Sequence, residues 1–225
     1  MNEVVVIVEG QTELAFVRDC LAVHLRARGV EVWGRPAGKS KSKWGVPKWQ
    51  SAKNDILRTL KENRYVTTMF DFYGIPEDWP GRADAAGQVW DERGDYVEQR
   101  ISQSIAEAAG NGFDSRQFIP YVQVHEFEAL LFADVKKASQ SLSPLCRRPE
   151  EQLHADLREF LEAAGNPEAI NDGFETSPAR RIKAAAPGYD KVAFGPGIAG
   201  KIGLETIRAA CPHFGQWLTK LESLR

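Results

Sequence analysis

The sequence predicts an α/β fold: a mostly parallel central sheet with helices on both faces, followed by further helices. Three observations lead there. β-rich runs alternate with helical stretches up to about residue 135 in the order β, α, β, α, β, α, β, the alternation that builds parallel sheets. The first run, Val4 to Val8, is V-V-V-I-V, apolar at every position as in a strand covered on both faces. Three runs end in acids: Glu9, then Asp71, then the cluster His125-Glu126-Phe127-Glu128. In open α/β sheets ligands bind outside the C-terminal strand ends.

Glu9-Gly10 follows the first strand, and Gly10 allows a sharp turn. Thr12 is the expected N-cap of a helix beginning near Glu13. Its stripe of Leu14, Phe16, Val17, Cys20, Leu21 and Leu25 runs to Gly29. Val30 to Trp33 reads as a short strand. Gly34 to Lys48 carries Arg35, Lys39, Lys41, Lys43 and Lys48 with Trp44 between them and no acid. Two readings stay open for it, a solvated loop or a phosphate-binding loop with an aromatic platform. Trp49 to Asn63 is an expected helix with Ile56, Leu57 and Leu60 on one face. Tyr65 to Phe70 is the strand that ends at Asp71.

Gly74 to Gly94 is rich in Gly, Pro and Trp and reads as a long irregular segment, a lid or binding loop. Glu77 and Asp78 within it read as solvated turn residues. A helix from Tyr96 to Ala109 is stopped by Gly110-Asn111-Gly112. Phe118 to Val124 is the last expected strand, and a helix with Leu130, Leu131 and Phe132 closes near Asp134. This places an α/β domain at residues 1–135 and a helical extension at 136–225. Within the extension Pro144 to Pro149 interrupts the pattern, Glu150 to Ala164 is an amphipathic helix, and Thr176-Ser177-Pro178 starts another. Tyr189-Asp190-Lys191 leads into a flexible F-G-P-G segment. Gly203 to Ala210 and Phe214 to Leu221 are the closing helices.

A chain of 225 residues with 43% hydrophobic content can bury one large core, or a core with a small appendage. A net charge of −2 does not announce a nucleic-acid binder, although a local basic face is compatible with it. Cys20, Cys146 and Cys211 are odd in number and far apart, which argues against a disulfide framework and for a reducing, cytoplasmic compartment. The spacing suits no zinc site. No secretion signal is visible, and no apolar run approaches the ~20 residues of a membrane helix.

Parallel pairing of the first and third strands would bring Glu9, Glu13 and Asp71 onto one patch. Ionised carboxylates that close repel one another unless a cation lies between them, and an all-oxygen donor set suits Mg²⁺ or Mn²⁺. Glu126 is favoured over Glu128 as a further ligand. His125 is a substrate contact or a buried, satisfied imidazole. Tyr73 is a core aromatic or a hydrogen-bonding partner of a phosphate. Arg180, Arg181 and Lys191 are candidate phosphate contacts. His24, His154 and His213 lie in helical contexts and read as structural.

V-V-V-I-V-E-G-Q-T-E followed by T-T-M-F-D-F-Y-G resembles the Toprim domain of topoisomerases, primases and overcoming-lysogenization-defect nucleases. The stretches V-Q-V-H-E-F-E-A-L-L-F-A-D and I-G-L-E-T-I-R-A-A-C-P-H-F-G-Q-W-L extend the resemblance to an uncharacterised bacterial Toprim-related family often encoded beside an ATPase. The resemblance implies a divalent-metal-dependent nuclease or phosphodiesterase acting on DNA or RNA in phage or plasmid defence, with an ATPase partner. It implies catalytic roles for Glu9 and Asp71, with Lys191 as the late lysine. Tyr73 stands where the Toprim pattern has its second Asp, so a second ion would have to be held by Glu126, Glu128 or the substrate. A non-catalytic Toprim-like module and a small-molecule phosphoesterase are the other open readings.

Overall fold

The computed structural model describes residues 2–37, 44–62, 64–170 and 176–224. The first strand, β1 (Asn2–Val8), lies centrally between β2 (Val30–Pro36) and β3 (Tyr65–Asp71), parallel to both. Two short strands, β4 (Phe118–Ile119) and β5 (Val122–Gln123), complete the order β2-β1-β3-β4, with β5 also on β3. Every pairing is parallel. Pro120 separates the two short strands, because it has no N–H for the ladder. Side chains take over there: Thr68 Oγ1 both accepts from Tyr121 N and donates to Tyr121 O, each at 2.9 Å. The single strand expected over Phe118 to Val124 is therefore two.

Alternation along β1 divides the molecule into two cores. Val4, Val6 and Val8 face one and Val5 and Ile7 the other, the period-two pattern of a strand covered on both sides. The second core is closed by α3 (Trp49–Leu60) and α5 (Trp90–Ala109). The irregular segment between Gly74 and Gly94 includes the short helix α4 (Arg82–Ala85) and contributes Trp79 to this core. α5 starts at Trp90, six residues before the expected Tyr96. Asp78 is not merely solvated: its Oδ2 accepts the Trp49 N–H at 3.0 Å, at the start of α3.

The first core holds the helical segment after β1 and all of the C-terminal helices. That first segment runs as α1 (Gln11–Phe16), a π-helical turn (Val17–Leu21) and α2 (Ala22–Arg26). Gly10, not Thr12, is its N-cap. The C-terminal helices are α6 (Val135–Cys146), α7 (Glu150–Ala164), α8 (Pro178–Ala185), α9 (Lys191–Ile202), α10 (Leu204–Ala210) and α11 (Pro212–Glu222). Their Leu142, Leu157, Ile198, Phe214 and Leu221 share one core with Val4 and Leu25. Among the described residues no helix is long and apolar enough to cross a membrane.

The helix expected to close near Asp134 is present as a 3-10 helix, Phe127–Asp134. Two local expectations fail. Pro144 lies inside α6. The F-G-P-G segment, expected to be flexible, is the middle of α9, where Gly195, Pro196, Ile198 and Ala199 are buried. Pro196 costs that helix one hydrogen bond, and tight packing offsets it. A Cβ on Gly195 would come within 3.0 Å of the Tyr189 hydroxyl and 3.3 Å of the Phe127 ring.

The last helix is pinned to the sheet by a polar contact inside an aromatic cluster. Trp217 stacks on Tyr121 with centroids 4.4 Å apart, and its indole N–H donates to Thr67 Oγ1 at 2.8 Å. Trp217→Phe removes the donor and part of the ring. It is expected to cost about 2 kcal/mol, read as a lower urea midpoint with an unchanged m-value. An unchanged midpoint would refute the role given to this contact.

Candidate metal centre at the C-terminal sheet edge

Parallel pairing of β1 and β3 brings Glu9 and Asp71 out side by side. The Asp71 N–H donates to Glu9 Oε2 at 3.2 Å. Gly10 enters the helix in an extended conformation (φ −142°, ψ −175°), so it is not a positive φ that calls for glycine there. Glu13 follows in the first turn of α1 and is buried. Gly74 must be small for a steric reason, since a Cβ there would fall on the Glu9 carboxylate. His125 has φ +70°, a conformation rare for a residue with a side chain and one that collects at functional sites. After it the chain passes through an extended Glu126 into the 3-10 helix, which carries Glu128 into the interior. Asp190 caps α9 by accepting the Ala193 N–H at 2.8 Å and so sets Lys191 at the start of that helix.

The carboxyls perturb one another strongly. Burial, then the charge of Glu13, raises Glu9 from 4.5 to about 7. Burial is also the leading cause of the upward shifts of Glu13 and Glu128. Asp71 is raised well above its ordinary value by burial, then by Glu9 and Glu13. Lys191 responds the opposite way. Burial disfavours its charge, yet Glu128, Asp71, Glu13 and Glu9 outweigh burial and raise its pKa. Lys191 thus compensates four carboxyls while forming no ion pair within 4.0 Å with any described residue.

Among the described residues, two buried carboxylate oxygens of this group, Glu13 Oε1 and Glu128 Oε2, have no hydrogen-bond partner, and neither does Thr12 Oγ1. The other Glu128 oxygen accepts from the Tyr189 hydroxyl at 3.2 Å. Buried carboxylate oxygens without partners are costly unless a proton or a cation satisfies them.

Glu126 and Glu128 differ in their surroundings. Glu126 Oε2 accepts the Ala179 N–H at 2.9 Å at the start of α8, whereas Glu128 is fully buried with one oxygen unengaged. Tyr73 is exposed and stacks on His125 with centroids 5.8 Å apart, so both lie beside the acids. Arg181 does not join them. Its Nε donates to Thr176 O at 2.7 Å, and its guanidinium covers the Phe160 ring. Lys39, Lys41 and Lys43 lie outside the described residues. Thr12, Tyr189, Arg82 and Arg93 also border the site. Sequence reading passed over them because no strand end or acid pattern marks them.

Two other groups of potential ligands have their donor atoms within 4.8 Å of one another: His24 with Glu205 and Glu222, and Asp95 with Glu98 and His213. The acids at the sheet edge are not gathered that tightly among the described residues. The tighter groups are already satisfied. Glu222 pairs with His24, Arg28 and Arg208. His213 faces Glu98 through Nε2 at 2.9 Å and Asp95 through Nδ1 at 3.5 Å. The sheet-edge acids are the group with too little positive charge around them.

A family model described as a domain of unknown function, DUF4276, matches residues 8–222. The chain belongs to that family. The match spans the strand ends, the 3-10 helix and all of the C-terminal helices, so the DUF4276 unit includes both cores. No curated protein matches the sequence. Among solved structures, the DUF4276 chain is similar to the C-terminal region of the Xanthomonas campestris pv. campestris OLD protein. That match has 14% identity, a TM-score of 0.42 and coverage of 98% of this chain and 94% of that one. At that identity and score the likeness carries no functional argument.

Proposed function

We propose that this DUF4276 protein is a divalent-metal-dependent phosphodiesterase of Toprim-like type that cleaves nucleic acid. The observation that carries the reading is the pair of buried carboxylate oxygens without partners, Glu13 Oε1 and Glu128 Oε2, in a cluster with Glu9 and Asp71. An all-oxygen donor set of this kind fits Mg²⁺ or Mn²⁺. Glu9, Asp71, Glu13 and Glu128 are the residues that would hold the ion, and Glu126 stands beside them. When bound, such an ion supplies Lewis-acid polarisation of a phosphoryl oxygen and neutralises its charge.

The rest of the chemistry belongs to the chain. Among the described residues Lys191 is the cation that these acids act on, and they hold it charged, so it is placed to offset charge on a phosphoryl oxygen. Tyr73 occupies the position of the second Asp of the Toprim pattern, and a neutral phenol cannot supply that charge. The sequence that follows β2 is rich in lysine, with Lys39, Lys41 and Lys43 and no acid, and this favours a polymeric phosphodiester over a small phosphate ester. An ATPase partner and a role in defence rest on the resemblance described above.

The test incubates purified protein with plasmid, single-stranded DNA and tRNA, each with Mg²⁺ or Mn²⁺. Cleavage is expected with Mn²⁺ and is expected to fall at least roughly 100-fold in Glu9→Gln, the scale for loss of electrostatic stabilisation. Cleavage that survives the substitution belongs to a contaminant. No cleavage with Mn²⁺ binding intact would leave a binding module in place of an enzyme.

A further inference from the structure

The segment after Asp71, together with the first turn of α5, carries a feature that the metal centre does not use. Arg82 and Arg93 converge on one ring, with the Arg82 guanidinium 4.2 Å and the Arg93 guanidinium 6.0 Å from the Phe72 centroid. Arg82 Nε donates to Phe72 O at 2.9 Å and Arg93 Nε to Gln88 O at 3.0 Å, so backbone carbonyls fix both. Neither forms an ion pair with a described residue. Burial, with the neighbouring Arg93 charge, lowers the Arg82 pKa, while Tyr73 and Glu77 oppose that shift. Two half-buried guanidiniums held together without a paired acid repel one another, and an anion between them relieves the repulsion.

The pair adjoins an exposed ring. Tyr73 is 49% exposed, receives an N–H from Arg93 on its hydroxyl at 3.4 Å and lies 5.9 Å from the Arg82 guanidinium. One face of its ring is backed by His125 at an interplanar angle of 13°. The position relative to the acids is fixed by the chain itself. Tyr73 is two residues beyond Asp71, and the Glu9 carboxylate fills the space that a Cβ on Gly74 would need.

We infer that Arg82, Arg93 and Tyr73 form a clamp for single-stranded nucleic acid, the arginines gripping a phosphate next to the scissile one and Tyr73 stacking an unpaired base. The inference deepens the phosphodiesterase reading and rests on it for the position of the scissile bond. An aromatic face accepts any base, but only one that is free of its duplex stack. The substrate class is therefore single-stranded or frayed strands, with little sequence preference.

The test measures anisotropy of a fluorescein-labelled oligothymidylate and of its duplex with oligodeoxyadenylate, in EDTA so that nothing is cleaved. Wild-type protein is expected to bind the single strand more tightly. Tyr73→Leu should weaken that binding about ten-fold or more, with little change for the duplex, and Tyr73→Phe should restore it. Arg82→Gln with Arg93→Gln should lower the log–log salt slope by about 0.7, the value for the one phosphate contact on a single strand. Arg82→Lys, which keeps the charge, should retain most of the slope, and thermal melts identify any variant that fails to fold. Equal affinity for both probes, or an unchanged slope in the folded double variant, overturns the clamp. A parallel Mn²⁺ cleavage assay separates the two ideas. Cleavage with no effect of the clamp variants on binding refutes the clamp alone, and the expected binding losses in a protein that cleaves nothing refute the nuclease alone.

Discussion

Metal-free protein is expected to lose about 3 kcal/mol of stability between about pH 5 and about pH 8, and saturating Mn²⁺ is expected to restore it. Glu9 has an ordinary value of 4.5 and about 7 in the fold, so the native state holds more protons than the unfolded chain across that window. Stability therefore falls as pH rises from the unfolded value to the folded one, and is level above it. Glu13, Asp71 and Glu128 are raised as well and act with the same sign. His213 complicates the observation. Although burial opposes its charge, Glu98 raises its pKa, so its stabilisation is present below about 6.5 and is also lost as pH rises. Glu9→Gln separates the two contributions, because it removes the Glu9 share of the slope and leaves the His213 share. At about 2–4 °C per kcal/mol for a chain of this size, the drop in melting temperature is on the order of 10 °C. Mn²⁺ binds the ionised acids of the native state and stabilises by mass action, more at the higher pH than at the lower. Melting curves whose pH dependence is the same in Glu9→Gln, and which Mn²⁺ does not move, would sink the metal centre.

The parts of this molecule legible in its sequence are those governed by local periodicity. The V-V-V-I-V run is buried on both faces as expected, and it divides two cores by strict alternation. Glu9 and Asp71 meet because two parallel strands end together, and the strand pattern alone implies that. What was not legible depends on tertiary packing. F-G-P-G reads as a break because Gly and Pro disfavour helices in isolation. In the fold Gly195 lets α9 approach Phe127 and Tyr189 closely, and Lys191 at the start of the same helix lies among the acids. The sequence favours Glu126 over Glu128 as a ligand, but the surroundings that distinguish them depend on the extended turn after His125 and on the N-terminus of α8, a helix more than fifty residues away. Arg82 and Arg93 lie in the Gly74 to Gly94 stretch, which reads only as a long irregular segment. Only the fold brings both onto Phe72.

Lys191→Met is expected to separate metal binding from cleavage, the two properties that Glu9→Gln removes together. Lys191 is a fixed cation facing Glu128, Asp71, Glu13 and Glu9, and a divalent ion bound by the same acids is repelled by it. Taking away that charge should leave Mn²⁺ affinity, measured by calorimetry, unchanged or tighter. Cleavage should nevertheless fall by roughly 10²- to 10³-fold, because a positioned charge that stabilises a phosphoryl oxygen in the transition state is lost. Without the lysine the four carboxyls have less compensation, so the Glu9 pKa should rise further and the pH-dependent loss of metal-free stability should grow. Lys191→Arg keeps the charge on a larger head group. It should recover the stability profile more fully than the cleavage rate, since the rate depends on where the charge sits. If Lys191→Met cleaves as the natural protein does, the lysine only neutralises the acids while the ion is absent. If it loses Mn²⁺ binding along with cleavage, Lys191 helps to build the site and does not act within it.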